Sequence, residues 1–178
     1  MISRIDNAFL NYIQGNMRCS FLDRIMPEIS LLGNGGLIWI ILTAAMLFSK
    51  DYKKIGLTLT VGLTLSLVMG NMILKPLIAR PRPCWSEAGM QLLIAMPRDF
   101  SFPSGHTLSS TISTVIILLY NKKIGTAAVI LALLIAFSRL YLYVHYPTDV
   151  LGGILIGIVI AIAAYRIMNG AHLFFSLF

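Results

Sequence analysis

Three short stretches hold the side chains of this sequence that are best suited to chemistry. KPLIARPRP (75–83) offers Lys75, Arg80 and Arg82, FPSGHT (102–107) offers Ser104, Gly105 and His106, and SRLYLYVHYPTD (138–149) offers Arg139, His145 and Asp149. Cations attract anionic oxygens. Ser104 and Gly105 stand directly before an apolar run, so they place backbone N–H groups at a helix N-terminus. Those groups lack partners and the helix dipole is positive there. Gly105 also lets an oxyanion approach the backbone closely. His145 and Asp149 are four apart, but Pro147 biases Tyr146 away from helix, so the pair is expected to meet across a turn. An Asp that accepts one ring N–H fixes the tautomer and leaves the other nitrogen free to attack. This inventory fits phosphoryl transfer: cations hold the nonbridging oxygens, one His attacks, and the other protonates the leaving oxygen.

Each stretch alone has a plainer explanation: snorkelling cations, a helix cap beside an incidental His, or a helix-start Asp stabilised by the dipole. The elements around them decide the matter. Hydrophobic residues make up 57% of the 178 and charged residues 12%, against about 25% charged in a soluble domain. Mean hydropathy is +0.83. The expected class is therefore an all-α polytopic membrane helix bundle forming one domain over 1–178. The net charge of +7 forms no stripe beside a soluble fold, so nucleic acid is not an expected partner.

Five apolar stretches are long enough to cross a bilayer, which takes about 20 helical residues. They run 31–49, 55–75, 103–120, 124–142 and 149–168. IDNAFLNYIQGNM alternates apolar and polar residues and fits a short amphipathic helix at the interface. Whether residues 8–27 lie on or cross the membrane stays open. SFLDRIMPEIS then leads into the first span, with Pro27 near a kink or a helix start. MISRIDNAF lacks the apolar core of a cleavable signal. Lys50, Lys53, Lys54, Lys122, Lys123 and Arg166 fall on one side of a five-span chain, and the positive-inside rule makes that side cytoplasmic. The three stretches with Lys75, His106 and His145 then share the extracytoplasmic face. Cations there run against the rule, so they call for an anion. Gly153 and Gly157 read as close helix packing. Cys19 and Cys84 read as two free thiols, and no role is read from the tail HLFFSLF.

The three stretches together resemble the signatures of the type 2 phosphatidic acid phosphatase (PAP2) superfamily, which includes vanadium haloperoxidases. K-x6-RP matches Lys75, Arg82 and Pro83; PSGH matches Pro103 to His106; SR-x5-H-x3-D matches Ser138, Arg139, His145 and Asp149. They cover a core of 75–149. The short chain and its span count are similar to the small bacterial members, including undecaprenyl-diphosphatases of the bacitracin-resistance type. The resemblance implies a membrane lipid phosphatase with a haloperoxidase-like helical core. It implies His145 as a nucleophile that becomes phosphohistidine, Asp149 as its orienting partner and His106 as general acid. Lys75, Arg82, Ser104, Gly105 and Arg139 would hold the phosphate. No cofactor or metal is implied, and seven acids with one in the three stretches supply no cluster for one. Arg80 lies outside the pattern and its role stays open, as does the oligomeric state. Expected partners are the bilayer and a lipid phosphate: undecaprenyl diphosphate, phosphatidylglycerol phosphate or phosphatidic acid. The tail is expected to enter by gaps at Gly70, Gly105 or Gly152. A phosphotransferase and an anion transporter are the alternatives.

Overall fold

The computed structural model describes residues 2–87 and 91–175. The chain is helical and has no strand among the described residues. Its helices are α1 (Ile2–Asn16), α2 (Ser20–Leu32), α3 (Leu37–Phe48), α4 (Lys53–Leu65), α5 (Lys75–Ile78), α6 (Pro83–Ser86), α7 (Gly105–Tyr120), α8 (Lys122–Tyr141) and α9 (Pro147–Phe175). A 3-10 turn over Asn34–Gly36 joins α2 to α3, and a π-helical stretch over Ser66–Leu74 joins α4 to α5. Residues 176–178 of the HLFFSLF tail lie outside the described residues.

All five apolar stretches are helical, but two differ in detail from the sequence reading. The stretch 31–49 is not one helix. Its LLGNGG start is a break, because Gly35 (φ 59°) and Gly36 (φ 75°) take left-handed conformations that only glycine adopts without cost. Helices α2 and α3 meet there at 43°. Pro27 lies inside α2 rather than at the bend. The stretch 55–75 continues through the π-helical segment to Ile78. By length and composition, three stretches (53–86, 122–141 and 147–170) are fit to cross a membrane. The bent α2–α3 pair makes up to a fourth. Helix α7 has 16 residues, roughly 24 Å at 1.5 Å per residue, somewhat short of a hydrocarbon core of about 30 Å.

That short helix is the centre of the bundle, packed against α3, α4, α8 and α9. Leu108, Ile112, Ile116 and Ile117 are buried on it, with Ser110, Ser113 and Thr114 among them. Trp39 Nε1 donates to Ser110 Oγ at 2.9 Å, so the polar stripe is partly satisfied by its neighbours. Gly153 and Gly157 let α9 lie against α7. A Cβ at Gly157 would stand 2.8 Å from Thr111 Cβ, and one at Gly153 3.1 Å from the Ser104 carbonyl oxygen. The outward faces of α8 and α9 are apolar and bare, including Leu133, Leu155 and Val159. With these spans and relatives of the same kind, described below, the chain is a multi-pass membrane protein.

Short joints make the helices antiparallel. Asn121 alone links α7 to α8, and its Oδ1 accepts from Ile124 N at 3.1 Å as the N-cap of α8. Lys54, Tyr120 and Asn169 gather at one end: Asn169 Nδ2 donates to Tyr120 Oη at 3.1 Å, and Lys54 Nζ lies 6.0 Å from the Tyr120 ring centroid. Lys75, Gly105, Arg139 and Pro147 stand at the opposite ends of the same helices, and all three chemical stretches meet there.

Candidate active site

A cavity of about 1000 Å³ opens at that end and runs down between α3 and α4. Lys75, Arg82, His106, Arg139 and His145 line its polar end, with Gly105 among them. Ile40, Ala44 and Leu47 of α3 and Leu63 and Leu67 beside them line its apolar flank. Five of the eight expected site residues thus converge with their side chains on one space, and Gly105 adds its backbone.

His145 is buried in the turn between α8 and α9. Arg82 Nη1 lies 3.0 Å from His145 Nε2. A guanidinium only donates, so Nε2 must be the accepting nitrogen, and the ring proton belongs on Nδ1. Nδ1 does not meet Asp149 as directly as expected. It stands 3.6 Å from Asp149 Oδ2 and 3.4 Å from Ser101 Oγ. Ser101 Oγ in turn donates to Asp149 Oδ2. The order is therefore His145, Ser101, Asp149, and a serine outside the three stretches bridges the pair. Pro147 explains this. It opens α9 after a non-helical Tyr146, so His145 and Asp149 do not share a helix face. Tyr146 N donates to the same Asp149 oxygen at 2.8 Å. Burial keeps the His145 imidazole well below its ordinary pKa, with Arg82, Arg139 and Lys75 adding to the effect and Asp99 opposing it. His145 lines the cavity, and Arg82 Nη1 caps its Nε2 there.

The turn that carries His145 is held from several sides. Arg82 Nη1 donates to the Val144 carbonyl at 2.7 Å, and Val144 N donates to the Arg139 carbonyl at 3.2 Å. Tyr143 has φ 59° and Ala79 φ 46°. These two non-glycine residues in the left-handed region both flank the site, where packing over-determines the backbone.

The other cations are placed as the sequence suggested, with partners it did not. Lys75 Nζ donates to Asp99 Oδ2, and Arg82 Nη2 donates to Asp99 Oδ1 at 2.8 Å. Burial works against the Asp99 charge, but Lys75 and Arg82 prevail and hold its carboxyl at about 2. Arg139 is buried; its Nη1 donates to Ser30 Oγ, while its Nε has no partner among the described residues. A buried guanidinium with an unused N–H suits an oxyanion. His106 Nε2 donates to Asn34 Oδ1 at 2.8 Å, so the 3-10 turn before α3 orients this ring. Gly105 backs onto Lys75: a Cβ there would lie 3.9 Å from Nζ.

Ser104 differs from expectation. It is fully buried, and its hydroxyl accepts from Thr107 N at 3.4 Å and Thr107 Oγ1 at 3.0 Å. Its own N–H donates to the Asp149 carbonyl at 3.2 Å. It caps α7 and ties that helix to α9, which leaves the Gly105 and His106 N–H groups of the first turn without an intrahelical partner. Arg80 turns away from the cavity. Its Nη1 donates to Asp149 Oδ1 at 2.5 Å and its Nη2 to Asp6 Oδ2 at 2.6 Å. It is therefore not a fourth phosphate clamp. Gly70 and Gly152 are not gaps either, because Cβ atoms there would stand 2.5 Å from Leu108 Cδ2 and 2.3 Å from Phe102 Cε2. Cys19 is an exposed free thiol and Cys84 a buried one.

Ser30, Asn34, Asp99, Ser101 and Asp6 were not read from the sequence as parts of the site. Each acts through a contact with a distant residue, and no local spacing marks it.

Comparison with known proteins bears on this arrangement. Residues 55–172 match the sequence profile of the PAP2 superfamily. An undecaprenyl-diphosphatase of Sulfolobus acidocaldarius is 37% identical over 121 residues, which are 67% of this chain and 58% of that protein. Undecaprenyl-diphosphatase BcrC of Bacillus subtilis is 33% identical over 132 residues, 71% of this chain and 65% of its own length. The chain thus matches less than two thirds of the length of either relative. The crystal structure of a transmembrane PAP2-type phosphatidylglycerolphosphate phosphatase from Bacillus subtilis superposes with a TM-score of 0.74 at 27% identity. That match spans 95% of this chain and 87% of the other.

Proposed function

We propose a function on one premise: this chain belongs to the PAP2 superfamily. It is a membrane lipid phosphatase that hydrolyses a phosphate or diphosphate monoester through a phosphohistidine. One observation carries the reading: His145 lines the cavity with Arg82 at its accepting nitrogen and Ser101 and Asp149 behind the other. Lys75, Arg82 and Arg139, with the first-turn amides of α7, bind the nonbridging phosphate oxygens. Arg82 turns its N–H from His145 Nε2 to a phosphate oxygen, and the freed lone pair attacks phosphorus as the bond to the leaving oxygen breaks. His106 gives that oxygen a proton. Water then gives a proton to His106 and attacks phosphorus, the P–N bond breaks with its electron pair returning to Nε2, and inorganic phosphate leaves. The cations and amides are fixed before reaction, which is how they stabilise charge that grows on the transferred group.

The substrate follows from where the cavity leads. Its polar end lies at the helix ends, and its apolar flank descends between α3 and α4. A headgroup fits the first and the start of a lipid tail the second. The basic joints lie at the far end of the bundle, so the site faces the extracytoplasmic side of the plasma membrane. Undecaprenyl diphosphate, which yields undecaprenyl phosphate, is the best match, supported by the two named relatives. Phosphatidylglycerol phosphate is the second reading, favoured by the likeness to the Bacillus subtilis crystal structure over 95% of this chain.

The test is phosphate release from purified protein in detergent with EDTA present. The substrates are undecaprenyl diphosphate, phosphatidylglycerol phosphate and phosphatidic acid, with folded His145→Ala as control. Release by the wild type alone, fastest from undecaprenyl diphosphate, is expected. Release that persists in His145→Ala names the wrong nucleophile. No release from any lipid points to a phosphotransferase or a transporter.

A further inference from the structure

We propose that Asp6, on the N-terminal helix, is a positioning residue of the reaction. Through Arg80 it keeps Asp149 anionic in effect and aimed at His145. This rests on the reading of His145 as nucleophile. Asp6 lies outside the residues that match the family profile, which begin at 55.

Asp6 is fully buried although α1 otherwise shows Ile5, Phe9 and Tyr12 on its outer face. Both carboxylate oxygens are used. Oδ2 accepts from Arg80 Nη2 at 2.6 Å and from Thr148 Oγ1 at 2.6 Å, and Oδ1 accepts from Thr148 N at 3.1 Å. Arg80 Nη1 reaches Thr148 Oγ1 at 2.7 Å and Asp149 Oδ1 at 2.5 Å. The guanidinium lies over the Tyr146 ring, 4.1 Å from its centroid. One arginine thus bridges two buried carboxylates, and its planar fork fixes both. From Asp149 the chain continues through Ser101 to His145.

The order of charges gives Asp6 its role. When His145 takes the phosphoryl group its ring becomes cationic, among Lys75, Arg82 and Arg139, which already face it. Asp149, 3.6 Å from His145 Nδ1, can offset that charge, with Asp99 the other acid of the site. Arg80 alone would cancel Asp149. Asp6 absorbs the Arg80 charge, and the sequence minus, plus, minus leaves Asp149 effective toward the ring. A buried carboxylate on α1 is tolerated only because it is paired. If it served merely to fasten α1, an apolar residue would do as well.

The test uses full-length protein. Asp6→Asn keeps the shape and removes the charge. Leu10→Ala loosens α1 by removing a buried side chain without touching charge. The readouts are kcat and KM on undecaprenyl diphosphate per folded protein, the amount of acid-labile phosphoenzyme trapped with labelled substrate, and the pH profile. Asp6→Asn is expected to lower kcat by about tenfold or more with KM within about twofold. It also traps less phosphoenzyme and moves the acid limb to lower pH, since losing a nearby negative charge makes His145 harder to protonate. Leu10→Ala keeps kcat near the wild-type value even where it lowers the melting temperature more. If both variants lose kcat alike and keep the wild-type acid limb, Asp6 is only a fastener. Wild-type protein that turns over no lipid phosphate ends the phosphatase reading, and this role with it. Active wild type with an unchanged Asp6→Asn ends this role alone.

Discussion

Asp99 holds two of the groups that a phosphate needs. Its oxygens take protons from Lys75 and Arg82, yet its side chain is 53% exposed and can swing outward. A doubly charged phosphate competes with it better than a singly charged diester headgroup does, because attraction to the two cations scales with charge. Asp99→Asn is expected to lower KM, and the inhibition constant for inorganic phosphate, by about three- to tenfold with kcat little changed, as steady-state kinetics will read; a raised KM would make Asp99 part of the binding site instead. The carboxyl sits at about 2 when folded, below its ordinary 3.8. The tie is complete above the unfolded value and is lost only as pH falls through the folded one, so it does not vary between pH 5 and 8. His145 acts in the same direction but in a higher pH window. Its folded pKa is depressed, so below about 6.5 the unfolded chain binds a proton that the folded chain refuses. The melting temperature is expected to fall as pH drops from 7 toward 5, and less so in His145→Gln, by thermal unfolding across that range. Lys75, Arg82, His106, Arg139 and His145 were legible in the sequence because fixed spacings mark them. Ser101 and Asn34 were not, since nothing near them in the chain distinguishes a serine or asparagine that orients a catalytic ring.

The helices do more than carry these residues. The 3-10 turn between α2 and α3 delivers Asn34 to His106 and packs Gly33 against the ring. A Cβ at Gly33 would lie 2.7 Å from His106 Cδ2 and 2.9 Å from Ile135 Cγ2. Gly33→Ala is expected to cost about 1–3 kcal/mol of stability and about tenfold in kcat, whereas Gly15→Ala meets nothing within 4 Å and leaves both as they are. Denaturation and turnover measured side by side will check this. The π-helical stretch from Ser66 to Leu74 ends directly before Lys75, and such segments are frequent at functional sites. Hydropathy found the apolar stretches but ran one helix through LLGNGG. A window average registers how greasy a segment is and is blind to a positive φ.

At the scale of the whole molecule, the antiparallel joints sort charge: lysine-rich joints at one end, the cluster of Lys75, Arg82 and Arg139 at the other. Charge counting in the loops made that polarity legible, and the three stretches share an end as expected. What it missed was α1, read as a helix at the interface and found to reach into the site through Asp6. It bears one buried acid, Asp6, whose partners stand far along the chain, a relation no local pattern encodes. Native thiols offer a test of orientation. Cys19 is exposed and its N–H donates to Tyr141 Oη at 3.3 Å, which places it at the site end, while Cys84 is buried. A membrane-impermeant maleimide is expected to label Cys19 in intact cells, and labelling only after permeabilisation would put the site on the cytoplasmic side.

The bonds from Asp6 to Thr148 span 142 residues, and this bears on how the protein is made. A ribosome adding about 5–20 residues per second takes roughly 7–30 s to travel from one to the other. Throughout that interval the acid on α1 lacks the start of α9, and for the first half of it Arg80 as well. Helix α1 therefore settles only after the start of α9 has been made, so an earlier segment waits on a later one.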